Sequence, residues 1–220
     1  MLNVQGSDIF LYGLIGPSEL GYISAMDFID AVSMFEGKDI NLRIMSAGGS
    51  VDQGIAIYNA IKRRRGKTTI YVDSVAASIA SVIAMAGDSV VMSEGSKLMI
   101  HKPWTIAAAN ADGMRKMADL LDKYEEGLVD IYVNRSGMDR EKVLEMMAEE
   151  TWMTAKESVE FGFADSIEGS VKEEPQVPRN VFQNVPNDVK EVEIKSTKRL
   201  DQVKLALRLR ELMAFNPPSI

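Results

Sequence analysis

The sequence predicts an α/β fold, because short apolar runs alternate with helix-length segments through its first two thirds. Strand character is clearest where β-branched residues cluster, as in Thr68–Val72. Glycine-rich turns separate strands from helices, as at Gly48 and Gly49. Strands that are joined by helices of this length pair in parallel through right-handed crossovers. A parallel or largely parallel sheet covered by helices is therefore expected.

The predicted elements follow one another in a regular order. Apolar or β-branched runs predict strands at 8–14, 40–45, 68–72, 89–92, 97–101 and 164–167. Helical patterns cover 18–35, the segment that Ser50 caps, 78–86, 111–136, 139–149 and a short helix that starts with a capping box at Thr154–Glu157. In the helix after Ser50, residues Val51, Ile55, Tyr58 and Ile61 share one face.

Composition divides the chain into three parts. Residues 1–169 form the predicted α/β domain. Residues 170–197 contain Pro175, Pro178 and Pro186 among many charges, which is typical of a linker or a poorly ordered segment. Residues 198–220 form a predicted helical tail that is rich in leucine and basic residues. We hypothesise that this tail docks on a partner; the alternative is that it packs on its own domain or on a neighbouring copy of the chain.

The residue counts exclude several kinds of chemistry. The chain has no cysteine and one histidine, which excludes disulfides and thiolate catalysis and leaves no ligand set for a His- or Cys-based metal centre. A formal charge of −7 argues against a nucleic-acid surface. No apolar run reaches the roughly 20 residues that span a bilayer. The N-terminus lacks the pattern of a secretory signal, so a cytoplasmic location without membrane contact is expected.

Two side chains and one turn are candidates for catalysis. Ser78 lies among small residues between a predicted strand and a predicted helix, where a hydroxyl can be exposed as a nucleophile. His101, the lone histidine, ends a predicted strand and is the one imidazole base available. The turn at Gly48–Gly49 can direct backbone N–H groups at an anion. Taken singly, each has a plainer explanation: a packed serine, a structural histidine, and a turn that requires positive φ.

Four motifs in order resemble those of ClpP peptidases. Ser46–Val51 is similar to their oxyanion turn, usually Ser-Pro-Gly-Gly, and Val75–Ala80 to their nucleophile segment. Met99–Pro103 closely resembles their Met-Ile-His-Gln-Pro motif, and Trp152–Asp165 resembles their closing segment. The resemblance covers residues 8–168. It implies a ClpP/crotonase-like ββα spiral with a helical handle at 111–149, assembly into homo-oligomeric rings, and protein or peptide substrates.

The resemblance also implies roles for individual residues. Ser78 corresponds to the nucleophile and His101 to its general base. The backbone N–H groups of Gly49 and Ile79 correspond to the oxyanion hole. The third member of the triad, an Asp in the family, corresponds to Glu150, with Glu149 as a neighbouring alternative. This chemistry requires no metal and no cofactor.

Departures from the housekeeping pattern indicate a particular branch of the family. Ala47 replaces Pro, Ala80 replaces Gly, Glu150 replaces Asp, and residues 170–220 have no housekeeping counterpart. With a first predicted strand near residue 8, little of the segment that meets an AAA+ unfoldase is expected, which argues against that partner. The departures resemble phage head-maturation (prohead) proteases, with capsid or scaffold proteins as partners in the host cytoplasm or the assembling prohead. The alternatives are a ClpP subunit that works with an AAA+ unfoldase, a crotonase-like acyl-CoA enzyme and a non-catalytic assembly protein.

Overall fold

Strands and helices alternate along the chain, as the sequence predicts. The computed structural model describes residues 2–169, 176–178 and 181–192. The strands are β1 (Asn3–Gln5), β2 (Asp8–Tyr12), β3 (Ile40–Ser46), β4 (Thr68–Ala77), β5 (Ser89–Ser93), β6 (Lys97–Ile100), β7 (Thr151–Thr154), β8 (Ser166–Glu168), β9 (Gln176–Pro178) and β10 (Lys190–Val192). The helices are α1 (Ala25–Ser33), α2 (Val51–Arg63), α3 (Ile79–Ala84), α4 (Ala111–Ser136), α5 (Arg140–Ala148) and α6 (Ala155–Glu160).

The long strand β4 organises the sheet. Strands β2, β3, β4 and β5 run parallel in that order, and β8 extends the sheet beyond β5. The first part of β4 pairs with β5, and its last residues pair with β6. Strand β7 then adds to β6 in antiparallel orientation. The split pairing of β4 brings the ends of β4 and β6 together.

Strand β4 is buried on both faces over its last six residues. Residues 72–77 of the strand are buried without alternation, as expected for a parallel strand that has cover on both sides. Helices α2 and α3 pack closely at this point. A Cβ atom at Gly54 would lie 2.1 Å from Cγ1 of Ile79, so only glycine permits the observed approach of the two helices.

Helix α4 joins the core through its C-terminal half. Its buried residues are Leu128, Val129 and Tyr132, whereas Met114 and Leu120 in the first half are exposed. The buried Tyr132 hydroxyl lies 2.8 Å from Oγ of Ser81 in α3. The first half of α4 therefore projects from the core, within the region 111–149 in which the resemblance to ClpP peptidases implies a handle.

Several elements differ from the sequence-based predictions. The predicted helix at 18–35 is a 3₁₀ turn at Ser18–Leu20 followed by α1, because Gly21 adopts a left-handed conformation and Ser24 caps a new helix. Strand β1 precedes the first predicted strand, and β7 was not predicted. The strand predicted at 68–72 continues to Ala77, since its later pairing is with β6.

Part of the predicted linker packs against the α/β domain. Val177, Phe182 and Val189 form a second apolar cluster with Ala47, Val75, Ala77 and Met99. Strands β9 and β10, which precede and follow Phe182 along the chain, pair with each other in parallel. The predicted helix within 198–220 lies outside the described residues. Within the part of the chain that the structure describes, no helix is both long and apolar enough to span a membrane.

Candidate active site

Ser78 lies at the abrupt junction between β4 and α3. Its backbone has φ 56° and ψ −131°, a region that non-glycine residues rarely occupy. The register pairs Ala77 with Met99, and the Ser78 N–H donates to the Met99 carbonyl at 3.0 Å. The preceding Ala76 and Ala77 are fully buried, so small side chains permit the turn. Strain of this kind is typical of functional positions and presents a hydroxyl outward.

His101 is placed beside Ser78 by the end of β6. Strand β6 ends at Ile100, next to the point where β4 gives way to Ser78. His101 Nε2 lies 2.8 Å from Ser78 Oγ, which is hydrogen-bonding distance. When Nε2 accepts the serine proton, the ring proton resides on Nδ1. The two residues that the sequence singled out are therefore in direct contact.

Strand β7 brings Glu150 to the other side of the imidazole. The antiparallel register pairs Ile100 with Thr151, so the residues that follow and precede them, His101 and Glu150, are neighbours. Glu150 Oε2 lies 3.8 Å from His101 Nδ1, within ion-pair distance but beyond a hydrogen bond. Glu149 instead forms the C-cap of α5. The structure thus places Glu150, and not Glu149, against the histidine.

The double-glycine turn lies directly against Ser78. Gly48 has φ 89°, and a Cβ there would meet Ala77 O at 2.7 Å and Ser78 Cβ at 2.8 Å. Gly49 has φ 146°, and its Cβ would lie 2.0 Å from the Ile15 carbonyl oxygen. Among the described residues, the N–H groups of Gly49 and Ile79 have no hydrogen-bond acceptor. These two donors remain available to an anionic oxygen near Ser78.

A cleft of about 440 Å³ opens over Ser78 and His101. Its walls are largely apolar, as in most binding sites for organic ligands. The lining includes Leu14, Tyr22, Val51, Trp104, Ile106 and Phe182. Within the described ranges, no cluster of acidic and histidine side chains could hold a metal ion.

Sequence reasoning missed the contribution of the segment after β9. Phe182 packs edge-on against the His101 ring, with centroids 5.7 Å apart. The backbone N–H groups of Gln183 and Asn184 donate to Glu150 Oε1. Because a backbone donor leaves no residue-specific signal, nothing in the sequence marked these positions.

Burial favours the neutral form of His101. Removal from solvent lowers the pKa of the imidazole below its ordinary value of 6.5, and the charge of Glu150 opposes that shift. A depressed pKa keeps His101 neutral at pH 7, which is the form that can accept a proton from Ser78.

The pH dependence of serine labelling should reflect this shift. The rate of Ser78 modification by a fluorophosphonate is expected to rise with pH through an inflection below 6.5 and to be flat between about pH 7 and 8. Glu150→Gln removes the charge that raises the His101 pKa, so its inflection should lie lower still. Second-order inactivation rates across pH 4.5–8.5 would measure the inflection in the wild type and in Glu150→Gln. An inflection above 6.5 in the wild type would contradict the burial argument.

A sequence-family model described as Clp protease matches residues 8–170. The chain belongs to the Clp protease family, and membership implies serine-type peptidase activity. It is 33% identical over 141 residues to an ATP-dependent Clp protease proteolytic subunit 1 of Protochlamydia amoebophila, covering 62% of this chain and 68% of that protein. It is 29% identical over 163 residues to the subunit of the same name from Borreliella burgdorferi, covering 72% of this chain and 82% of that protein.

A solved structure has the same fold. A ClpP1 mutant from Listeria monocytogenes aligns with a TM-score of 0.66 at 20% identity, over 74% of this chain and 92% of that one. The predicted ClpP-like α/β fold is therefore confirmed.

Proposed function

We propose that the chain is a serine endopeptidase that hydrolyses peptide bonds through an acyl-enzyme, with Ser78 as nucleophile and His101 as general base. The observation that carries this proposal is the 2.8 Å contact between Ser78 Oγ and His101 Nε2, formed by a serine with φ 56°. A packed structural serine would have no need of a strained backbone and a hydrogen-bonded imidazole partner.

Each group in the site has a chemical task in this reaction. Ser78 Oγ attacks the scissile carbonyl carbon while its proton moves to His101 Nε2. The N–H groups of Gly49 and Ile79 stabilise the oxyanion of the tetrahedral intermediate. The carboxylate of Glu150 stabilises the imidazolium. His101 then gives its proton to the leaving amine, and a water activated by the same imidazole hydrolyses the ester.

Covalent labelling tests the assignment of the nucleophile. Wild-type protein treated with a fluorophosphonate is expected to carry a single adduct on Ser78, and Ser78→Ala is expected to carry none. Peptide mapping by mass spectrometry would locate the adduct. Ser33, which is exposed at the end of α1, serves as an internal control for indiscriminate labelling. Equal labelling of the alanine variant would reject Ser78, and a crotonase-like or non-catalytic protein would give no adduct at all.

The substrate that we propose is a phage capsid or scaffold protein, processed during head maturation by a homo-oligomeric assembly. Ala47, Ala80 and Glu150, which replace the usual family residues, and the chain beyond residue 170 support this branch. In this proposal, residues 1–169 form the peptidase domain, 170–197 the connection and 198–220 a helical tail that docks on the assembly.

The names of the relatives favour a second candidate, a proteolytic subunit that works with an AAA+ unfoldase. Parallel digests discriminate the two. Cleavage of capsid or scaffold protein without ATP supports head maturation, whereas degradation of a folded substrate that requires an unfoldase and ATP supports the second candidate. Ser78→Ala is the control for contaminating proteases in both digests.

A further inference from the structure

The turn at 181–184 lies against the active site although it falls outside the range that the family model matches. Phe182 is buried and makes edge-on contacts with both His101 and Trp152, with centroids 5.7 Å and 5.6 Å apart. Val181 and Phe182 also line the cleft above Ser78. The chain beyond the recognised domain therefore forms one wall of the site.

The same turn binds the carboxylate of Glu150. The backbone N–H of Gln183 donates to Oε1 at 2.6 Å, and that of Asn184 donates to the same oxygen at 2.8 Å. The Trp152 indole N–H adds a longer contact of 3.4 Å. With Oε1 occupied in this way, Oε2 is the oxygen that faces His101 Nδ1, at 3.8 Å. The two carboxylate oxygens thus have separate partners.

Glu150 needs such an anchor for two physical reasons. Its side chain is 10% exposed, and a buried carboxylate without hydrogen-bond donors is strongly disfavoured. A glutamate also has one more rotatable bond than an aspartate, so its carboxylate has more orientations to lose. Two N–H donors on one oxygen stabilise the charge and select one orientation.

Contacts that do not involve Glu150 hold the turn in place. Asp188 forms an ion pair of 2.6 Å with Lys97 of β6. The Asn184 side chain donates to the Glu149 carbonyl at 2.7 Å. Phe182 and Val189 belong to the second apolar cluster, described above. The donors are therefore preorganised by the packing of 181–192 and are not merely recruited by the carboxylate.

We propose that Gln183 and Asn184 are positioning residues of the active site, whose backbone N–H groups hold Glu150 so that its second carboxylate oxygen faces His101. This inference rests on the proposed peptidase function for its catalytic consequence. It assigns a role in the reaction to a part of the chain beyond the peptidase domain. The turn at 181–184 then has two roles: it lines the cleft above Ser78, and it holds the carboxylate of Glu150.

Proline at position 183 tests the proposal, because it removes the N–H donor. Gln183 is exposed, so Gln183→Ala is the matched control that alters the side chain and keeps the donor. Relative to that control, Gln183→Pro is expected to lower kcat for a peptide substrate by about 10- to 100-fold, with KM changed by less than about threefold. An equal kcat in the two variants would overturn the proposal.

A double-variant cycle separates positioning from a general structural effect. If the turn acts through Glu150, adding Gln183→Pro to Glu150→Gln should lower kcat by less than about twofold further. The four proteins of the cycle are the wild type, Gln183→Pro, Glu150→Gln and the double variant. In each of them, prepared without a histidine tag, the pKa of His101 can be followed by NMR after selective histidine labelling, because His101 is the lone histidine. Independent, multiplicative losses of kcat in the double variant would refute an action through Glu150.

Amide exchange keeps the proposal testable if the proline variant does not fold. The N–H groups of Gln183 and Asn184 are expected to be protected from hydrogen exchange in the wild type and to lose about tenfold or more of that protection in Glu150→Ala. Unchanged protection would rule out the contact. A wild-type Ser78 that resists fluorophosphonate would instead count against the peptidase function itself, so the two failures are distinguishable.

Discussion

Replacement of His101 by alanine is expected to lower kcat/KM for a peptide substrate by about 10⁴- to 10⁶-fold. The imidazole Nε2 lies 2.8 Å from Ser78 Oγ, and no other histidine exists in the chain to replace it as base. Without a base, the serine hydroxyl is a weak nucleophile at neutral pH. Hydrolysis of a fluorogenic peptide, measured over a range of enzyme concentrations, would quantify the loss.

The double variant Ser78→Ala/His101→Ala is the control for this prediction. Residues that act as one catalytic unit have strongly non-additive effects, so the double variant should retain about the same residual rate as either single variant. Because His101 packs against Phe182, thermal unfolding of each variant must be compared with the wild type. A folded His101→Ala protein with activity within tenfold of wild type would exclude the imidazole as general base.

Gly49→Ala is expected to cause the largest structural damage of any single methyl addition near the site. The new Cβ would lie 2.0 Å from the Ile15 carbonyl oxygen, and alanine would have to adopt φ 146°. Steric overlap with backbone and a disallowed φ together should lower the free energy of unfolding by about 3–5 kcal/mol. The shift of the turn would also displace the Gly49 N–H from Ser78. Denaturant unfolding and peptide hydrolysis would measure the two effects.

Gly127→Ala provides a matched control in helix α4. A Cβ at Gly127 meets no atom within 4 Å, and glycine inside a helix is less stable than alanine. That variant should be as stable as wild type or more stable by up to about 1 kcal/mol. A Gly49→Ala protein with wild-type stability and rate would show that the turn is not held as the structure places it.

The residues alone made Ser78 and His101 candidates for catalysis, and the resemblance to ClpP peptidases supplied their proposed roles. The single histidine left one choice of base, and small residues around Ser78 indicated a sharp turn. The start of a helix near Ser78 was also predictable, whereas the extension of β4 from Val72 to Ala77 was not. The local sequence could not predict the distance between the side chains of Ser78 and His101. That distance depends on the pairing of β4 with β6, which joins residues far apart along the chain.

The resemblance assigned the third position of the triad to Glu150, with Glu149 as the alternative, and the structure places Glu150 beside His101. Both carboxylates follow α5, and a one-residue difference in strand register reverses which side chain faces a given surface. Strand β7 is short and was not predicted, yet its pairing with β6 places Glu150 beside His101. Glu150 further adopts φ 51°, a conformation that no sequence rule assigns to a glutamate.

The sequence by itself determined the α/β class and indicated the double-glycine turn, because both depend on residue type and on neighbours close along the chain. Its resemblance to ClpP peptidases supplied the proposed nucleophile and base. Only the tertiary structure showed which carboxylate lies against the imidazole and that residues 181–184 line the cleft and donate to Glu150. Those features depend on backbone N–H groups, which every residue except proline carries, and on pairings between distant segments. A proline-rich, charged segment was expected to be a linker, but burial of Phe182 and the Lys97–Asp188 ion pair fix part of it against the domain.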